Sequence, residues 1–189
     1  MKKSRRSLIL LIIIAAIAIP FSAIQIINSN NKTEAAFLQK YGLDGLSVEE
    51  IVYSLDSTKS DPVGIGASIT SKYLVLYDNR EEIKLALPED KFYLSLAPYI
   101  TQTHSCMTHN LSSCQGELVN KTVNVIITDE KGNEIVNSDM TTMENGFVGV
   151  WLPRNMNATV EVRYNGLTAQ TAVNTFSGSN TCLTTLQLI

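Results

Sequence analysis

The chain has 189 residues, 44% of them hydrophobic and 17% charged, a length that suits one medium domain or two small ones. Its net charge of −3 is unevenly spread: Lys2, Lys3, Arg5 and Arg6 precede the first acidic residue, Glu34, and the rest carries eleven cations against 18 acids, a net of −7. An acidic body without a basic cluster excludes a nucleic-acid partner, because phosphate binding needs a positive field.

The basic start is followed by Leu8 to Ile19, almost entirely Leu, Ile and Ala. Together they have the form of a secretory signal. Ala16-Ile17-Ala18 and Phe21-Ser22-Ala23 are the cleavage candidates, while apolar character as far as Ile27 is also long enough for a retained membrane anchor. Residues 1–31 are therefore expected to export the chain, as a cleaved signal peptide or an N-terminal anchor with its linker. Export places the protein in the periplasm, or on the outer face of the cytoplasmic membrane.

Thr33 to Tyr41 is amphipathic and runs into Gly42, a helix stop. Ser47-Val48-Glu49-Glu50 has the form of a capping box, and Ile51, Val52 and Leu55 follow as an apolar stripe. From Gly64 the pattern changes to alternation. Strands are predicted over Ala67–Thr70, Tyr73–Tyr77, Ile83–Leu87 and Phe92–Ile100. Others are predicted over Thr122–Thr128, Gly146–Leu152, Ala158–Tyr164, Leu167–Val173 and Leu183–Leu188, with Asn165-Gly166 as a two-residue hairpin turn. The fold class is α+β: short N-terminal helices, then a β-rich body ending in an antiparallel sandwich or barrel. The expected division is an N-terminal α+β domain over 32–117, closing in a His/Cys loop, and a C-terminal antiparallel β domain over 118–189.

Chemistry concentrates where the alternation lapses, between Thr101 and Glu117. His104, Cys106, Met107, His109 and Cys114 lie within eleven consecutive residues, and these include both histidines and two of the three cysteines of the chain. His104 and Cys106 share a face if the segment is extended, and Cys106 and His109 share one if it turns helically. Cys182 comes from the far end and, in a regular last strand, points inward with Leu186 and Leu188. Thiolate and imidazole suit Cu(I), with Zn(II) the main competitor. Three cysteines and one histidine form an ordinary structural zinc set, but Cys106 and Cys114 are separated by seven residues, wider than a short zinc knuckle. A Cys106–Cys114 disulfide with Cys182 as a buried apolar residue stands as the alternative. Glu117 reads as a solvated loop carboxylate or an acceptor behind the cluster. No Gly-rich phosphate loop, His-Glu-x-x-His helix or Gly-x-Ser-x-Gly elbow is present. A Cys106–His109 nucleophile pair is arithmetically possible, but the simpler enzymatic option is thiol redox chemistry, in which Cys106 and Cys114 reduce Cu(II) or exchange disulfides.

The stretch from Phe92 to Leu118, with its Cys-x₇-Cys-Gln-Gly-Glu-Leu motif, resembles the CueP family of exported copper-binding proteins. So do Ser47-Val-Glu-Glu-Ile51, Asn145-Gly-Phe-Val-Gly-Val-Trp-Leu-Pro-Arg154 and Thr181-Cys-Leu-Thr-Thr-Leu-Gln-Leu188. The resemblance implies a periplasmic protein that sequesters copper under copper stress and passes it to exported enzymes such as copper/zinc superoxide dismutase. It implies Cys106, Cys114 and Cys182 as metal ligands, with His104 and His109 at the motif's histidine positions, and a tendency to form a homodimer. Thiols that hold Cu(I) in an oxidising compartment must be kept reduced, which predicts a thioredoxin-like reductase as a further partner.

Overall fold

The computed structural model describes residues 32–58 and 64–189. The expected signal or anchor over 1–31 lies outside the described residues. Among those described, no helix is long and apolar enough to cross a membrane. The chain divides after Asp44 into two compact units. In the first, helix α1 covers residues 32–40, and the rings of Phe37 and Tyr41 pack at a 50° tilt with centroids 4.9 Å apart.

The second unit opens with helix α2, Val48–Asp56. The predicted capping box is formed: Ser47 Oγ accepts from the Glu50 N–H, and the Glu50 carboxylate accepts from the Ser47 N–H at 2.7 Å. These bonds satisfy amides that the first turn leaves without helical partners. The helix buries Ile51, Val52, Leu55 and, on the same face, Asp56.

Among the described residues eleven strands follow. β1 (Gly66–Ile69), β2 (Tyr73–Tyr77), β3 (Glu82–Ala86) and the short β5 (His109–Asn110) form one sheet in the order β3-β2-β1-β5. A second sheet has the order β10-β9-β6-β7 and comprises β6 (Thr122–Asp129), β7 (Glu134–Thr141), β9 (Asn157–Tyr164) and β10 (Leu167–Asn174). The third sets β4 (Lys91–Leu96) between β8 (Val148–Pro153) and β11 (Cys182–Leu183). β4 precedes residue 117 and its two neighbours follow it. All pairings between named strands are antiparallel except β11 with β4, which places Cys182 opposite Ser95.

The second and third sheets face each other. Val123, Val125 and Ile127 from β6 and Val160 and Val162 from β9 meet Phe92, Leu94 and Leu96 from β4 and Val148, Val150 and Leu152 from β8. Period-two alternation puts those residues on one side of each strand. The result is a sandwich in an α+β protein, and among the described residues no sheet closes into a barrel. Asn165 and Gly166 both take positive φ, the geometry of the hairpin turn predicted for them.

Besides the short β5, which lies where no strand is expected, three elements differ from the expected pattern. The strand expected to reach Ile100 stops at Leu96, two residues before Pro98, which has no N–H to continue a ladder. The expected terminal strand pairs regularly only at Cys182–Leu183, then touches again as an isolated bridge between Tyr99 and Gln187, although Leu186 and Leu188 do face inward. β7 was not predicted: as an exposed edge strand it shows no alternation of buried and exposed positions.

Candidate metal centre

The His/Cys loop is shaped by what flanks it. Residues 101–108 have no regular structure, and the loop is pinned at both ends. At its start, the Glu117 carboxylate accepts the N–H groups of Ile100, Thr101 and Gln102 and the Thr101 hydroxyl, with distances from 2.5 to 3.3 Å. Those bonds hold the carboxyl down at about 2, the Thr101 hydroxyl contributing most. Glu117 is therefore a clamp on the loop while its carboxylate stays open to solvent. At its end, β5 joins β1 with His109 opposite Ile69 and Asn110 opposite Ser68. The helical turn that would have put Cys106 and His109 on one face does not form, because β1 captures His109 as a strand residue.

Cys114 follows a turn in which its N–H donates to the Asn110 carbonyl at 3.0 Å. Two residues on, the Gly116 N–H donates to the Asn145 carbonyl at 2.6 Å, and the backbones of Gly116 and Gly146 touch. A Cβ on Gly116 would lie 2.6 Å from the Gly146 carbonyl oxygen, closer than real atoms approach. This contact presses the cysteine loop against Phe147, which packs with Ala97, Cys106, Cys114 and Cys182. Cys182 arrives on β11 beside β4, and its N–H and that of Thr181 both reach the Met107 carbonyl, at 3.3 and 3.0 Å. The C-terminal strand and the His/Cys loop are thus tied by backbone bonds next to the sulfurs.

Four predicted ligands come together. One donor atom each from His104, Cys106, Cys114 and Cys182 lies within 4.8 Å of all the others. The Cys106 and Cys114 sulfurs are 3.6 Å apart and all three cysteines are free thiols. A disulfide would require about 2.05 Å, whereas two sulfurs about 2.3 Å from one tetrahedral ion sit roughly 3.8 Å apart. His104 Nε2 is buried without a hydrogen-bond partner. Such an atom is costly unless something binds it, so the donor set fits a soft ion held by three sulfurs and one imidazole.

His109 lies behind the four. Fully buried, it approaches Cys182 Sγ at 3.7 Å through Nδ1 and bonds Asp56 Oδ1 at 2.7 Å through Nε2, with its ring 4.6 Å from that of Phe147. The charges follow from these neighbours. Hydrogen bonding from Cys182, assisted by His109, the Asn110 backbone and His104, lowers Cys114 to about 3 against the effect of burial, making it the thiolate of the group. Burial pushes Cys106 up to about 11, and Cys182, donor to Cys114 and itself desolvated, is pushed far above the ordinary thiol range. Burial works to lower His109, but the Asp56 and Cys114 interactions outweigh it and raise the imidazole to about 9.

Sequence reasoning did not single out Asp56, Asn145, Tyr93 or Phe147. The available signal was Asp56 itself, a carboxylate on the apolar face of an amphipathic helix. Of the five methionines in the chain, Met107 is next to Cys106 and 68% exposed. A cavity of about 270 Å³ opens beside Cys106 and Cys182, with Thr171, Val173, Asn174 and Asn180 on its other walls.

A family model described as "Periplasmic copper-binding protein CueP" matches residues 50–187. A solved structure described as the crystal structure of S.CueP is 52% identical, over 82% of this chain and 97% of that one, with a TM-score of 0.79. A search of curated proteins gives no match.

Proposed function

Since the chain belongs to the CueP family of periplasmic copper-binding proteins, we propose that it sequesters Cu(I) between Cys106, Cys114 and Cys182, with His104 completing the set, and delivers it to exported copper enzymes. The observation that carries this reading is the convergence of four donor atoms within 4.8 Å from two remote parts of the chain. Soft sulfur matches a soft monovalent ion, and one ready thiolate with two thiols lets the ion bind while displacing protons. A copper/zinc superoxide dismutase is the kind of acceptor this delivery would serve, and association as a homodimer belongs to the same reading. Competition against a chromogenic Cu(I) chelator tests it: wild-type protein competes, and Cys182→Ser loses at least tenfold in affinity. Equal affinity of the two would remove the three-sulfur centre.

The Cys106–Cys114 distance of 3.6 Å favours a second reading. A sulfur pair this close, one of them a thiolate, can give one electron to each of two Cu(II) ions, releasing the remaining thiol proton and forming one disulfide. The Cu(I) produced would bind only after a thioredoxin-like reductase restored the dithiol. Intact mass after Cu(II) treatment should fall by two hydrogens and recover with reductant; an unchanged mass removes this reading.

A further inference from the structure

The proposed ligands leave one buried acid unexplained. Asp56 ends α2 with no exposed surface, and its carboxylate collects donors from three other regions: His109 Nε2 at 2.7 Å, Asn145 Nδ2 at 2.8 Å and the Tyr93 hydroxyl at 2.5 Å. Asn145 also donates to the Asp56 backbone carbonyl at 2.6 Å, while its own Oδ1 accepts the Phe147 N–H at 2.9 Å. Burying a carboxylate is expensive, and an apolar side chain of similar size often does the structural task better. A group kept under those conditions needs another reason, and the geometry supplies it.

The His109 ring has two nitrogens. Asp56 engages Nε2, and the Phe147 ring lies against the imidazole at a 43° tilt. With one nitrogen anchored and one face covered, the ring cannot turn, and Nδ1 is left facing Cys182 Sγ at 3.7 Å. The His109 backbone is fixed as well, through β5 and through its N–H bond to Thr181 Oγ1 at 3.0 Å, the residue before Cys182. A carboxylate bonded to one ring nitrogen of a histidine fixes the ring's tautomer and orientation, as it does for histidines that ligate metals directly.

We propose that Asp56 is a positioning residue for this centre: it fixes the His109 ring so that Nδ1 holds the Cys182 sulfur among the other ligands. The inference rests on the reading of the three sulfurs as ligands, and its test separates the two. In reduced, metal-free protein, the alkylation rates of the three thiols by iodoacetamide are measured one by one by peptide mass. Asp56→Asn, nearly identical in shape, should change the Cys182 rate at least threefold and leave the Cys106 rate within twofold of wild type. An unchanged Cys182 rate, or all three rates moving together as in general loosening, overturns the proposal. Cu(I) competition with the same variant should show affinity about ten- to hundredfold weaker; wild-type affinity overturns it. Should the variant not fold, ¹⁵N–¹H spectra of the wild-type protein decide: the His109 Nε2–H is expected as a resonance protected from exchange with water, and its rapid exchange overturns the proposal. Failure of wild-type protein to bind Cu(I) would overturn the copper reading, while the alkylation and ¹⁵N measurements would still decide the role of Asp56.

Discussion

Three sulfurs held in one small volume do not act as equal thiols. Cys114 is the thiolate because it receives hydrogen bonds, chiefly from Cys182, whereas Cys106 and Cys182 keep their protons. His104 contributes a buried Nε2 without a hydrogen-bond partner, and the imidazole also helps to lower Cys114. His104→Ala should therefore weaken Cu(I) binding about tenfold while leaving the melting temperature of the metal-free protein near its wild-type value, as chelator competition and calorimetry would show; equal affinity would remove His104 from the ligand set. Glu117 gives a pH signature. Its folded-state carboxyl is depressed to about 2 from an ordinary 4.5. A depressed acid stabilises the fold fully above its unfolded value, and that contribution is lost as the pH falls through the folded one. The melting-temperature gap between wild type and Glu117→Gln should thus be full at pH 6 and shrink steadily from pH 4.5 towards pH 2. A gap that stays constant over that range would show that the carboxylate charge is not what clamps the loop.

At the level of elements, the centre depends on two backbones that touch. Adding a methyl at Gly116 drives it into the Gly146 carbonyl, and Gly146, at φ +80°, is itself in a conformation that suits glycine. Gly116→Ala should cost about 1–3 kcal/mol, as overpacking usually does, and should weaken Cu(I) binding because Cys114 is two residues away; denaturant titration and chelator competition measure the two effects. This contact also marks the limit of what the sequence discloses. The sandwich was legible because β6, β8 and β9 bury alternate residues, while β4 is buried at every position from Phe92 to Leu96, and the capping box and the Asn165-Gly166 turn are local signals with local causes. The clustering of His104, Cys106 and Cys114 was visible in their spacing; Cys182 is buried as expected, though the regular strand from which that was reasoned stops at Leu183. The short β5 was not legible, because two residues carry no periodicity and its formation depends on β1 accepting His109. The Asp56–His109–Asn145 set was hidden for the same reason: its members lie 36 to 89 positions apart, and only the folded chain brings them together.

For the molecule as a whole, an ion bound by loop and terminal strand together acts as a cross-link. Any ligand that binds only the folded state stabilises it by mass action, about 2.7 kcal/mol at a hundredfold excess over Kd. For a chain of this size that is roughly 5–10 °C in melting temperature. Loading with Cu(I) under anaerobic conditions should produce such a rise, chelation should reverse it, and Cys182→Ser should abolish most of it, because the strand then has no sulfur to contribute. An equal rise in that variant would place the ion elsewhere.

The sulfurs are also graded by depth: Cys106 is partly open to solvent beside a cavity, whereas Cys114 and Cys182 are buried. An incoming thiol or thioether from another protein would therefore meet the outermost ligand first and replace it while the inner two keep their hold. If the chain delivers copper as proposed, hand-over would advance one bond at a time, and the cargo would never be loose in the surrounding fluid.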